Sequence, residues 1–361
     1  MMISKSTVDL PLHYGKCPPW LFKKMIRLSR AILLVMLREF GRRELLRRLA
    51  DPFWFQALGC LLGFDWHSSG LTTTVGGAIK KALEPEAKDW GIFICGGKGS
   101  QALSTPAEIE KWGERASLKT EIQNMITLSR LVARIDNNAL QDGFSLYFHL
   151  FIFTEKGDWA VIQQGMDDKT SYARRYHWFG PKVEDFFADP HEGIASPVKK
   201  AEVLNLTAKE SEMARKGVLS LLKEPMFKIL KEVKAEHKFR LKREHSLSDN
   251  DFSYEVLPKI LEKTYQSNPN NFTDLLLTPG LGAKGLRALT LTAELIYDVK
   301  ACRKDPVHYS YAHGGKDGYP YKINSRVYEN TIRELEFLLE QAKLSPSEKD
   351  NKLKNLLKLF K

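Results

Sequence analysis

The sequence lacks long hydrophobic runs, closely spaced cysteines and internal repeats, and each absence excludes a class of protein. Its longest uninterrupted apolar run, residues 31–37, has seven residues between Arg30 and Arg38, whereas a membrane span needs about 20. The four cysteines lie far apart and match neither a disulfide framework nor a CxxC metal site. The first fifteen residues carry no apolar block of the kind found in signal peptides. These absences predict a cytoplasmic protein that does not interact with a membrane.

Acidic residues are also scarce in two regions of this 361-residue chain, whose formal net charge is +11. Residues 1–50 contain eleven Lys and Arg against three acids, and residues 199–245 contain thirteen against seven. Clustered positive charge favours a polyanionic partner, because contact with phosphates releases counterions. A solubilising surface is the alternative. We therefore expect DNA or RNA as the partner.

The distribution of hydrophobic residues predicts an α+β fold that is mostly helical. The helical period of apolar residues over 20–40 predicts an amphipathic helix with a basic stripe. A small antiparallel sheet is expected in the first half and a helical second half that contains a helix-hairpin-helix motif at about 272–295. We accordingly expect two domains, an α+β domain over 1–200 and a helical domain over 201–361.

The strongest strand signal is a hairpin formed by residues 146–154 and 159–166, with the turn at 155–158. A three-residue loop places His149 opposite Gln163, whereas a two- or four-residue connection places it opposite Gln164. Either register brings an imidazole and a carboxamide together on otherwise apolar strands.

Polar residues around this hairpin suggest a catalytic site for phosphodiester hydrolysis. The candidate catalytic residues are Asp136, Asp142, His149, Gln163, Gln164 and His177. Asp136 and Asp142 are the candidate ligands of Mg²⁺ or Mn²⁺, since hard cations prefer oxygen ligands. Arg174 and Arg175 are expected to bind phosphates, with Tyr176 or Trp178 stacking on bases. The alternative is that the glutamines satisfy each other and the histidine belongs to the core.

A second candidate site lies at residues 272–289, which resemble the helix-hairpin-helix motif. A first helix is expected to end at Leu277, and a second to begin at Ala283 after a Pro-Gly-Leu-Gly turn. Amide groups at the start of that second helix would face a phosphate. The candidate nucleic-acid-binding residues are Gly280, Gly282, Lys284 and Arg287. The alternative is an ordinary turn between two helices whose glycines only cap them.

These observations favour a nucleic-acid-binding protein, either a metal-dependent DNA nuclease or a DNA repair factor that contacts the phosphate backbone without sequence preference. A non-catalytic DNA- or RNA-binding factor that recruits a repair partner is the first alternative. An enzyme acting on small phosphorylated ligands is the second, because the glycine-lysine loop at 96–99 follows a strand and precedes a helix. That loop lacks the spacing of a P-loop.

Several segments together resemble one prokaryotic family of uncharacterised proteins, the domain-of-unknown-function 763 family. The segments are 11–16 (PLHYGK), 64–69 (FDWHSS), 163–166 (QQGM), 173–178 (ARRYHW) and 312–318 (AHGGKDG). The resemblance covers nearly the whole chain. It implies no particular activity and no site residues, so the functional expectations above rest on the residues alone.

Overall fold

The computed structural model describes residue 17 and residues 19–62, 70–118, 122–170, 172–236 and 257–307. The helices are α1 (Pro19–Ala50), α2 (Pro52–Leu61), α3 (Gly70–Leu83), α4 (Ala87–Trp90), α5 (Ser100–Leu103), α6 (Thr105–Ala116), α7 (Ile122–Arg134), α8 (Glu212–Leu221), α9 (Met226–Glu236), α10 (Leu257–Ser267), α11 (Phe272–Leu277) and α12 (Ala283–Tyr297). The strands are β1 (Ile92–Lys98), β2 (Leu140–Gln141), β3 (Ser145–Thr154), β4 (Trp159–Met166), β5 (Ala173–Phe179), β6 (Gly193–Ala195) and β7 (Leu204–Asn205). The α+β prediction is confirmed, with a small antiparallel sheet in the first half and helices in the second.

The central sheet has five antiparallel strands in the order β1-β3-β4-β5-β6, so most neighbours in the sheet are also neighbours in the chain. The predicted hairpin is confirmed as β3 and β4. The Thr154 amide donates to the Asp158 carbonyl oxygen at 2.9 Å, which closes a three-residue loop. His149 therefore lies opposite Gln163, the first of the two registers considered.

Successive strand residues point to opposite sides of the sheet, and helices cover both sides. On one side, Phe148, Leu150 and Ile152 pack with the buried residues of α1, α2 and α3. On the other, Phe151 and Phe153 share a hydrophobic cluster with α6, α7 and the helices of the second half. Polar strand residues are consequently buried on whichever side they face.

The predicted helix over 20–40 is confirmed and extends to Ala50 as α1. Its buried stripe includes Leu21, Met25 and Leu33, which pack on the sheet. Gly41 interrupts the helix with φ +81° and ψ 176°, a conformation outside the helical region that glycine tolerates. The chain thus runs as two helical stretches joined by a kink.

The glycine-lysine segment 96–99 departs from its prediction, because Gly96, Gly97 and Lys98 belong to β1 rather than to a loop. The Gly96 amide donates to the Glu108 carboxylate at 2.9 Å, and Lys80 donates to the Gly96 carbonyl oxygen at 2.7 Å. Both backbone groups of Gly96 are thus paired within the protein, and binding of a phosphorylated ligand by this segment stays a prediction.

None of the helices in the described ranges is long and apolar enough to cross a membrane. The division into domains at residue 200 stays a prediction. Buried residues from both sides of that position, among them Phe151 and Leu289, lie in one hydrophobic cluster.

Candidate functional site

The residues predicted to form one catalytic cluster lie on two sides of the sheet. Gln163 binds partners in the segment around α7, whereas Gln164 accepts from Thr72 of α3. Arg174 and Arg175 diverge in the same way, toward Asp142 and toward Gln56 of α2. Adjacent strand residues face opposite ways, so both pairs are separated by the thickness of the sheet. The constellation therefore divides into three buried networks.

The first network is centred on Asp136, whose carboxylate is fully buried. One oxygen accepts from His191 Nε2 at 2.6 Å, and the other accepts from Trp178 Nε1 at 2.9 Å and from the Gln163 amide. Trp178 also packs on the His191 ring, with centroids 4.3 Å apart. Sequence reasoning missed His191, because it stands alone between strands with no periodic pattern around it.

This network continues from Gln163 to Ser129. The Gln163 Oε1 atom accepts from His149 Nδ1 at 2.9 Å, and His149 Nε2 lies 2.9 Å from Ser129 Oγ. Because Gln163 accepts at Nδ1, Ser129 is the donor to Nε2. Burial lowers the pKa of His149 against the opposing effects of Gln163 and Asp136, which favours the neutral imidazole. The chain of hydrogen bonds fixes α7 to β3 and β4.

The second network is an ion cluster around Arg174. Its guanidinium donates to Asp142 Oδ2 at 2.8 Å and, through two nitrogens, to both oxygens of Asp305 at 3.0 and 2.7 Å. The Tyr176 hydroxyl also donates to Asp142, at 2.7 Å, and the Phe144 amide donates to its other oxygen. Burial raises the pKa of Asp142 although Arg174 opposes that shift. Arg174 is fully buried here and does not face a phosphate.

These two networks occupy the carboxylates that were predicted to bind a divalent metal. Both oxygens of Asp136 and both oxygens of Asp142 accept hydrogen bonds from protein donors. The described residues contain no group of three or more His, Cys, Asp and Glu side chains placed to hold a metal ion. Binding of Mg²⁺ or Mn²⁺ at these aspartates stays a prediction.

The third network lies on the other side of the sheet. Arg175 donates to Gln56 Oε1 at 2.7 Å and to Thr72 Oγ1 at 3.3 Å, and its guanidinium lies 5.0 Å from the Phe55 ring centroid. Gln164 bridges Thr72 and the Tyr147 hydroxyl. Like Arg174, Arg175 is buried and donates to protein acceptors.

His177 is fully buried beside this network, where its ring lies next to the backbone of Leu49 and Ala50. Its ring meets Phe55 edge-on, with centroids 5.6 Å apart. Burial, assisted by the charge of Arg175, holds the pKa of His177 well below its usual value. Burial at this position therefore favours the neutral imidazole, and a catalytic role for His177 stays a prediction.

The second candidate site is the turn between α11 and α12, residues 278–282. The helix bounds agree with the predicted end at Leu277 and start at Ala283. Gly280 has φ +74°, which favours glycine, and Leu281 is buried between the helices. Whether this turn functions as a helix-hairpin-helix motif stays a prediction.

Three side chains hold the carbonyl groups of this turn on its inner side. Arg134 donates to the carbonyl oxygens of Leu276, Thr278 and Leu281 at 2.8, 3.1 and 3.2 Å. Asn138 reaches the Leu281 oxygen at 3.5 Å, and Gln141 donates to the Ala283 oxygen at 2.8 Å. These residues come from the end of α7, a π-helical segment (Ile135–Ala139) and β2. Sequence reasoning did not connect them to the turn, because they lie more than 140 positions away.

The start of α12 combines backbone amides that have no acceptor among the described residues with nearby positive charge. The first backbone hydrogen bond of α12 is donated by Leu286 to the Gly282 oxygen at 3.0 Å, and the amides of residues 283–285 have no acceptor in the described part of the chain. Lys284 is exposed, Arg287 is half-buried, and the Lys263 ammonium lies over Gly280. A helix N-terminus flanked by cations attracts anions.

A family model described as "Protein of unknown function (DUF763)" matches residues 6–323. The chain belongs to this family, as segments 163–166 and 173–178 indicated. Segments 11–16, 64–69 and 312–318 lie outside the described residues. Searches of curated proteins and of solved structures found no match.

Proposed function

We propose that this protein binds the phosphate backbone of DNA or RNA through the turn at 278–282 and the first turn of α12. The observation that carries the proposal is that the carbonyl groups around the turn are bound by the described part of the protein, whereas the amides that follow the turn are not. Arg134, Asn138 and Gln141 bind its carbonyl oxygens from within. The amides of residues 283–285 at the start of α12 have no acceptor in the described part of the chain, and such amides at a helix N-terminus are the donors that a phosphate oxygen requires.

Gly282 supports this assignment because the fold itself does not require glycine there. Its φ of −103° and ψ of −176° are accessible to any residue. Apart from its own neighbours in the chain, no described residue has an atom within 4 Å of the position that a Cβ would take. A side chain at this position would project from the turn and keep a phosphate away from the amides. A close approach by the phosphate backbone of a bound nucleic acid would thus explain why a glycine occupies this position.

The test compares Gly282→Val combined with Lys284→Glu against Lys300→Glu, which changes an exposed lysine beyond the far end of α12. We expect the double variant to bind labelled DNA duplexes of unrelated sequence more weakly than wild type. Its slope of log K against log salt should fall by about 0.9 for each phosphate that the variant no longer neutralises. Lys300→Glu should retain the wild-type slope. A folded double variant with wild-type affinity and slope would refute the proposal.

Cleavage of the bound strand by a metal-dependent mechanism stays a separate prediction. No contact of Asp136 or Asp142 specifically favours it, because both side chains are occupied within the protein. Binding is therefore the function that the geometry supports best, and recruitment of a repair partner would not require the buried networks to open.

A further inference from the structure

The outward face of α1 carries a basic ridge, formed by Trp20, Lys23, Lys24, Arg27 and Arg38. All five side chains are exposed, and the Trp20 indole is 52% exposed. At about 100° of rotation per residue, Trp20, Arg27 and Arg38 lie within roughly 20° of one line along the helix. Arg27 and Arg38 thus lie in line with the Trp20 ring, and Lys23 and Lys24 flank that line near its N-terminal end.

The positive charge of the ridge is not neutralised locally. The sequence has no acidic residue from Pro19 to Arg38. Within the described ranges, the nearby Arg30 pairs with Glu86, whereas the four ridge cations have no carboxylate partner. The Lys24 ammonium lies 5.4 Å from the Trp20 ring centroid, which places positive charge beside the indole face. Ion pairing within the protein therefore does not account for this row of cations.

We propose that the basic ridge binds single-stranded nucleic acid, with phosphates along the cations and one base stacked on Trp20. A row of cations beside an exposed aromatic ring is the combination that binds unpaired strands without sequence preference. The bases of a duplex are stacked on one another and leave no free face for the indole. This inference shares its ligand class with the proposed function, but it uses residues that lie outside the turn.

The same surface does not resemble a membrane-binding helix. An interfacial helix buries a broad apolar face among the lipids, whereas the apolar side chains of α1 such as Met25 and Leu33 are already buried in the core. Leu28, which is 42% exposed, is the one large aliphatic side chain that the described part of α1 exposes strongly. The charge on this face is therefore better matched to a phosphate chain than to a lipid surface.

The test measures fluorescence anisotropy of a labelled oligothymidine and of a duplex with the full-length protein. Trp20→Ala should weaken oligothymidine binding by about 5- to 140-fold without changing the salt slope, the range for removing one base from an aromatic stack. Trp20→Phe should recover most of this affinity, and duplex affinity should stay within about twofold of wild type in both variants. These side chains are exposed, so we expect the fold to persist.

The charge contribution is tested with Lys23→Glu combined with Lys24→Glu. The magnitude of the salt slope for oligothymidine binding should fall by about 1.4, because each of the two lost phosphate contacts contributes about 0.7. Lys209→Glu combined with Lys300→Glu makes the same change of net charge at exposed sites that precede α8 and follow α12 and should leave the slope unchanged.

Two outcomes overturn the ridge proposal: wild-type oligothymidine affinity in Trp20→Ala, or equal losses of affinity for duplex and for single strand. The two proposals fail separately. If the Gly282 and Lys284 variant loses duplex affinity while the ridge variants keep wild-type oligothymidine affinity, the ridge proposal alone is refuted. If the ridge variants lose oligothymidine affinity while the Gly282 and Lys284 variant keeps wild-type duplex affinity, the turn proposal alone is refuted. Wild-type protein that binds neither form of DNA refutes both.

Discussion

Arg174 is the cation that Asp142 and Asp305 share, and all three side chains are essentially excluded from water. Arg174→Met keeps much of the buried volume but removes the charge that compensates two carboxylates. Removing one partner of a buried ion pair typically costs about 3–5 kcal/mol, because the remaining charge stays desolvated. We expect a loss of this size near pH 7, since each carboxylate keeps some of its other donors.

The expected shift in melting temperature follows from the length of the chain. At roughly 2.1 cal/mol/K per residue, unfolding of 361 residues has an entropy of about 0.76 kcal/mol/K. A loss of about 3–5 kcal/mol then lowers Tm by roughly 4–7 °C if unfolding is a single transition.

The loss should also depend on pH, with a definite sign. Burial already raises the pKa of Asp142 in the presence of Arg174, and removal of the guanidinium raises it further. The folded variant then binds a proton that the unfolded chain releases above about pH 3.9, so its stability falls as pH rises. At about 1.4 kcal/mol per pH unit, the contribution of this one carboxylate changes by at most about 3.5 kcal/mol between pH 5 and 7.5.

Calorimetry of wild type and Arg174→Met at pH 5 and 7.5 measures both quantities. The control is Arg215→Met, because Arg215 is also buried but donates to the Leu206 and Ala208 carbonyl oxygens rather than to carboxylates. We expect that control to lose similar stability at both pH values. A wild-type Tm in Arg174→Met, or an equal loss at the two pH values, would refute the reasoning.

Three further predictions concern buried groups. His177→Leu removes an imidazole whose pKa lies well below its usual value. When the pH falls from 6.5 to 5, the wild-type protein loses stability because its unfolded chain protonates this histidine, and the variant should be spared up to about 2 kcal/mol of that loss. Urea unfolding measures both losses, and equal losses in the two proteins would contradict this. Gly96→Ala should destabilise the protein by about 3 kcal/mol or more, because Gly96 has φ +93° and an added Cβ would meet the His149 backbone oxygen. Gly99→Ala should cost only about 1–2 kcal/mol, because Gly99 has φ +60° but, apart from its neighbours in the chain, no described residue lies within 4 Å of its added Cβ. Equal losses in denaturant unfolding would contradict the close approach at Gly96. Burial raises the pKa of the Cys95 thiol, so mass spectrometry after iodoacetamide treatment of the native protein should find Cys95 unmodified, and rapid alkylation would contradict its burial.

The local parts of the fold were predictable from the sequence. The β3–β4 hairpin, with His149 opposite Gln163, followed from strand alternation and a glycine-containing loop. The end of α11 and the start of α12 followed from the Pro-Gly-Leu-Gly turn. In each case the determining interactions lie within about twenty residues of one another.

The candidate catalytic residues were grouped because they lie close together in the sequence. In the structure, the alternation of side chains along the strands places them on two sides of the sheet. The period of two residues in a strand was sufficient to place Gln163 and Gln164 on opposite sides of the sheet. The carboxylate partner Asp305 was not predictable, because no local pattern links it to Arg174 at a separation of 131 positions. The helical spacing of Met125, Ser129 and Val132 was a usable signal that Ser129 faces the core.

The pairing of Arg174 with Asp305 has a consequence for the order in which the protein is completed during synthesis. A chain made from its N-terminus exposes β5 long before residue 305 has been added. The Asn205 amide likewise finds the Cys302 carbonyl oxygen, at 2.9 Å, only at that late stage. During translation, the five strands can therefore align while Arg174 has Asp142 as its one carboxylate partner. The buried ion cluster around Arg174, rather than the sheet, is therefore completed only after residue 305 has been translated, close to the end of the matched family region at residue 323.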